Sequence, residues 1–250
     1  MSSLLLSLFL ALYASPSAIA KEEEPLNLDI VIHNFIGSEV SKTQILDQLD
    51  MAKKIHAKYA VNIHLKKYLA HQVPEDWMEF VGMEPGIVAS EIKESVNFYQ
   101  ALQQKRVTFS SKALQIFSQI TTGGEFSNNA IHVVIPRNVE LAFFTKSKIG
   151  GWERLSVKTG GLSFPPYYLN TPAPVQIAEV LTVTRHRPTV LSHELGHKLI
   201  NVTHEGYFEC PAFSGTKIPG LMGYHQEKDI GSGKTGRFHL ERLRSSPFLY

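Results

Sequence analysis

The chain has 250 residues, with 25 lysines and arginines against 23 aspartates and glutamates, 43% apolar residues and a single cysteine. A net charge of +2 leaves no basic stripe for nucleic acid and no acidic tail, and one cysteine excludes both an internal disulfide framework and a four-cysteine zinc site. Length and apolar content suit one domain with a substantial core.

Residues 4–20 are apolar and uncharged, and Ala18-Ile19-Ala20 closes the run before Lys21 and three glutamates. This pattern predicts a secretory signal over residues 1–20, cleaved after Ala20, and a secreted or periplasmic mature protein of residues 21–250. No later segment is apolar for long enough to span a bilayer, so no membrane partner is expected of the mature form.

Residues 28–32 read as a first strand. Ser41-Lys42-Thr43-Gln44 has capping-box spacing, and Ile45, Leu49, Ala52, Ile55 and Tyr59 then recur at helical intervals. Val61, Ile63 and Leu65 alternate as in a strand, so strand, helix and strand should form a right-handed crossover with a parallel pair. Val88, Ile92, Val96 and Tyr99 suggest a helix, and residues 113–117 a shorter one. Residues 130–135 and 139–144 read as strands, the second a candidate for pairing with an extended substrate. Gly150-Gly151 and Gly160-Gly161 bracket a stretch expected to be loop-rich through Pro165-Pro166. Residues 177–183 read as a further strand, and a helix should begin near Pro188. The fold class is therefore α/β, with a twisted, mostly parallel sheet and helices packed on it.

The chemistry concentrates in His193-Glu194-Leu195-Gly196-His197, which residues 189–192 place on a helix. Positions i and i+4 share one helix face, so His193 and His197 can hold one metal ion, and Glu194 can reach a water bound to it. One catalytic zinc ion suits the pattern, because it lowers the pKa of its water without redox chemistry. Glu194 would take the proton as that water attacks a carbonyl, then hand it to the leaving amine. Asn201 tolerates the left-handed conformation that ends a helix, which would swing His204 back as a third ligand. A carboxylate, Glu227 or Glu241, is the alternative. Met222 falls in an expected tight turn, with Tyr224 two residues on.

These motifs resemble the metzincin metallopeptidases, which carry H-E-x-x-H-x-x-G-x-x-H followed by a methionine turn. His204-Glu205 and Met222-Gly223-Tyr224 look most like the astacin and serralysin branches. The resemblance implies His193, His197 and His204 as zinc ligands, Glu194 as base and Met222 as the floor beneath the metal. It makes Tyr224 a fifth ligand or an oxyanion donor. It also implies an upper lobe of residues 21 to about 204, with the zinc helix, and a small lower lobe over residues 205–250. Three residues, Lys198, Leu199 and Ile200, separate His197 from Asn201, where the family has two before a glycine. A tightened or bulged last helical turn would absorb the extra residue.

The expected activity is that of a secreted zinc endopeptidase acting on protein or peptide substrates, with no nucleic-acid partner. The competing reading is a secreted zinc-containing binding protein that hydrolyses nothing. Gly231-Ser232-Gly233-Lys234-Thr235 lacks the leading glycine of a phosphate loop, since Lys228 stands there. Cys210 reads as a buried thiol, with a role as zinc ligand or latency switch as the alternative. His186 and His225 flank the motif as candidates for substrate contact or proton transfer. His33, His56, His64, His71, His132 and His239 read as surface or hydrogen-bonded structural histidines.

Overall fold

A computed structural model describes residues 24–86, 107–122, 130–163, 179–201, 220–222, 229–230 and 233–250. The signal-like segment, the helix expected around Val88 to Tyr99, and His204, Cys210, Tyr224, His225 and Glu227 lie outside these residues.

The strand β1 (Leu26–Phe35), the helix α1 (Lys42–Ala57) and the strand β2 (Val61–His71) follow in order, and the two strands pair in parallel. The capping box forms as its spacing predicts: the Gln44 amide donates to Ser41 Oγ at 3.3 Å, and the Ser41 amide to Gln44 Oε1 at 2.9 Å. After α2 (Glu75–Met78), β3 (Glu79–Pro85), β4 (Val107–Phe109) and α3 (Ser111–Thr122) come β5 (Ile131–Ile135) and β6 (Asn138–Lys146). Then follow β7 (Trp152–Thr159), β8 (Gly161–Leu162), β9 (Val180–Val183), α4 (Val190–Leu199) and α5 (Gly233–Arg244).

The strands form two sheets. The first has five strands in the order β2-β1-β5-β9-β8. Its pairs β2-β1, β1-β5 and β5-β9 are parallel, and β8 runs antiparallel to β9. The apolar triplets Ile30-Val31-Ile32 of β1 and Val133-Val134-Ile135 of β5 follow from this position, because inner strands of a covered parallel sheet are buried on both faces. On one face Leu28, Ile30, Ile32, Val133 and Leu181 pack with Leu49 and Ile55 of α1 and with Leu191, Leu195 and Leu199 of α4. On the other, Phe35, Val134 and Val180 meet Phe80, Met83, Phe117 and Val139, which come from β3, α3 and β6. Leu243 and Phe248, in and just beyond α5, join the first core, and the terminal residue pairs with β1, the Asn27 amide donating to the Tyr250 carbonyl at 2.8 Å.

The second sheet, β4-β3-β6-β7, corrects two expectations. β6 lies between β3 and β7, so over Asn138–Leu141, where β3 pairs with it, it offers no edge to a substrate. The stretch expected to be loop-rich contains β7, joined to β6 through Gly150 and Gly151 at φ +97° and +85°. Residues 153–158 of β7 are exposed, so the alternation of buried and exposed side chains that announces a strand is missing.

Candidate active site

The helix α4 follows β9 directly and is buried along its whole length. Leu191, Leu195 and Leu199 turn one stripe into the core. The Thr189 side chain makes no cap hydrogen bond. Gln48 of α1 caps the helix instead: its Oε1 accepts from the Leu191 amide at 3.1 Å, and its Nε2 donates to the Arg185 carbonyl at 2.9 Å. A buried helix start whose first amides have no intrahelical acceptor needs such a partner. Ser192 Oγ and His56 Nε2, 3.3 Å apart, add a second tie between α1 and α4.

At the far end the helix stays a regular α-helix. The Ile200 amide donates to the Gly196 carbonyl at 2.8 Å, and Asn201 takes the left-handed conformation at φ 58°. The turn at Asn201 is as expected, but the tightened or bulged last turn is not found; the extra residue lengthens an ordinary helix. Arg242 of α5 closes the end, Nε donating to the Ile200 carbonyl at 2.6 Å and Nη2 to the Asn201 carbonyl at 2.7 Å.

His193 and His197 come together as their spacing predicts, with ring centroids 4.8 Å apart and planes at 84°. His193 Nδ1 lies 2.5 Å from the Leu221 carbonyl. That acceptor requires the proton on Nδ1, which leaves the lone pair on Nε2, the arrangement a metal-binding imidazole uses. Next to Leu221 stands Met222, whose sulfur lies against Gly196, so closely that a Cβ at position 196 would overlap it. Two near-perpendicular imidazoles, one with Nδ1 bonded to a carbonyl, and a buried thioether against the helical turn between them are donors of a kind that suits a zinc ion.

Glu194 lies between the two histidines in sequence and is 6% exposed. The edge strand β8 runs against its carboxylate: a Cβ on Gly161 would stand 2.6 Å from Oε1. Burial pushes the Glu194 carboxyl up, and Lys198, one helical turn on, draws it partly back down. Lys198 is itself 1% exposed; burial lowers its pKa, while Glu194 and Glu179 raise it. Glu179, just before β9, is also raised by burial, to about 7.

The structure thus assembles His193, Glu194, His197 and Met222. Among the described residues no group of three or more metal-binding side chains forms, and the third candidate ligand, His204, lies outside them. Glu241 is exposed on α5, and His186 is exposed ahead of α4. Sequence reasoning missed Gln48, Gly161, Lys198, the Leu221 carbonyl and Arg242. Gly196 and Lys198 carried a signal, a glycine inside a helix and a lysine one turn after the base, whereas Gln48 and Arg242 act across the fold.

No family model matches the chain, and no curated protein matches it either. Among solved structures it is similar to metalloproteinase-II from Bacteroides fragilis, with a TM-score of 0.46 and 12% sequence identity over 89% of this chain. The match covers 55% of that protein, so this chain spans about half its length.

Proposed function

We propose that the protein is an exported zinc-dependent endopeptidase of metzincin type, its motif resembling that of the astacin and serralysin branches. The observation that carries this reading is the bond from His193 Nδ1 to the Leu221 carbonyl beside Met222, because it joins the histidine motif to the methionine turn in one contact. His193, His197 and His204 would hold the metal, and Tyr224 would add a ligand or an oxyanion donor. Zinc, when bound, supplies a Lewis acid that brings the pKa of its water toward neutrality.

The remaining steps belong to the chain. Glu194 accepts the proton of the attacking water and returns it to the leaving amine. Its burial keeps that carboxylate a strong acceptor by denying it competing water. β8 pairs only with β9 among the described residues, so its outer main-chain groups supply the edge on which an extended peptide lies beside Glu194.

Lys198 favours a second reading, a zinc-containing binding protein, since its charge engages the carboxylate a base would need. Zinc content and hydrolysis of an unfolded protein, measured on wild type and Glu194→Ala, decide between them. Peptidase function predicts that Glu194→Ala keeps zinc and loses hydrolysis. Wild type that binds zinc and cleaves nothing supports the binding protein.

A further inference from the structure

We propose that Gly82 is a positioning residue of the catalytic site: its notch in β3 seats Leu162, and through Leu162 it sets where the edge strand β8 stands against Glu194. The proposal rests on the peptidase reading above.

A glycine inside a strand marks a bulge or the close approach of another element. Gly82 is both. β3 gains one residue on β6 here, since Val81 faces Glu140 and Met83 faces Leu141, and Gly82 falls between them. A Cβ at position 82 would overlap the Leu162 side chain outright and stand 2.7 Å from Val139 Cγ1. Neither neighbour has room to retreat. Val139 is fully buried and Leu162 is 5% exposed, in one core with Phe80, Met83 and Phe117.

β8 passes that contact on to the base. It has two residues, and successive strand residues point to opposite faces. Leu162 points into the core shared with the second sheet, whereas Gly161 meets the Glu194 carboxylate, a Cβ there standing 2.6 Å from Oε1. The strand is thus held between a glycine notch on one side and the base on the other. It also has little slack along the chain. Only Gly160 separates it from Thr159, the last residue of β7, and Thr159 pairs with Val139. The Thr184 amide donates to the Gly160 carbonyl at 2.9 Å, which ties this corner to the end of β9. Close-packed interiors transmit strain. An added methyl at position 82 therefore moves Leu162, and Leu162 moves β8, with the peptide lying on it, relative to Glu194.

A misplacement of about 1 Å at a reacting centre can cost roughly 100-fold in rate. The test is hydrolysis of dye-labelled unfolded casein by the zinc-loaded full chain, with zinc content and the urea midpoint measured on the same samples. Gly82→Ala should lower kcat by about 10- to 100-fold. Zinc content and KM should stay near wild type, because the peptide still pairs with the β8 edge. Adding Leu162→Val, which has no δ methyls, should restore most of that loss, and adding Val139→Ala, which relieves only the other overlap, should not. Leu162→Ala alone removes the prop and should lower kcat with zinc retained, so the test stands even where Gly82→Ala does not fold. Three results overturn the proposal: wild-type kcat in folded Gly82→Ala, wild-type kcat in Leu162→Ala, or equal rescue by Val139→Ala and Leu162→Val, which marks general overpacking. Failure of the peptidase reading looks different, since zinc-loaded wild type then cleaves nothing, and the positioning role falls with it.

Discussion

Gly196 and Met222 meet so closely that the α-carbon of one carries no substituent because the sulfur of the other occupies the space. The glycine sits inside α4, where it costs helix propensity of about 1 kcal/mol relative to alanine. The gain is a thioether seated directly under the turn that holds both histidines.

Gly196→Ala should therefore destabilise the protein although alanine is the better helix former. Overpacking a core costs about 1–3 kcal/mol, more than the propensity gained. Chemical denaturation of Gly196→Ala, Met222→Ala and the double variant checks the coupling. The double variant should lose less than the two single losses added together. Strict additivity would mean the two residues do not share this space.

Gly161 poses the same question at the carboxylate. Its Cβ would come 2.6 Å from Glu194 Oε1, so Gly161→Ala should displace the base without touching a metal ligand. Hydrolysis should fall at least tenfold, an effect of about 1.4 kcal/mol on the barrier, while zinc content stays that of wild type. Equal loss of zinc and activity would place Gly161 in the wrong role.

Away from the site, His71, His33 and His132 of β2, β1 and β5 join nitrogen to nitrogen at 3.0 and 2.9 Å, with their rings stacked. Burial, and for His33 the neighbouring imidazoles as well, holds all three pKa values down, His33 to about 3 and His132 to about 4. The unfolded chain binds protons near pH 6.5, where the folded chain does not. Stability from this row is thus fully present above that pH and drains away as pH falls toward 4. The urea midpoint should drop from pH 7 to 5, and less steeply in His33→Asn. A slope unchanged by that substitution would remove the row as its source.

The third ligand gives a separate test. His204→Ala should lose zinc on mild chelation, while Thr203→Ala and Glu205→Ala should retain it, because a primary ligand outweighs its neighbours. Loss from Glu205→Ala with retention in His204→Ala would contradict the histidine assignment.

Local pattern explains what could be read in advance. The Ser41–Gln44 capping box, the alternation in β2 and the i, i+4 histidines are written within a few residues each, and all formed. Asn201 announced its left-handed turn because asparagine tolerates that conformation. What was misread depended on partners distant in sequence. Residues 139–144 are a strand, but only the pairing with β3 and β7 encloses its first half, up to Leu141. β7 is exposed on both faces and carries no period. Gln48 and Arg242 reach α4 from 143 and 42 residues away, and nothing in their neighbourhoods marks them.

The central claim is that this chain binds one catalytic zinc ion through the α4 histidines. Titrating the metal-free full chain with zinc, while following cleavage of an unfolded protein, tests it most directly. The account predicts that hydrolysis rises with zinc, saturates at a single equivalent, and is absent in His197→Ala at the same zinc concentration. A chain that takes up no zinc, or cleaves equally well without it, would contradict the account.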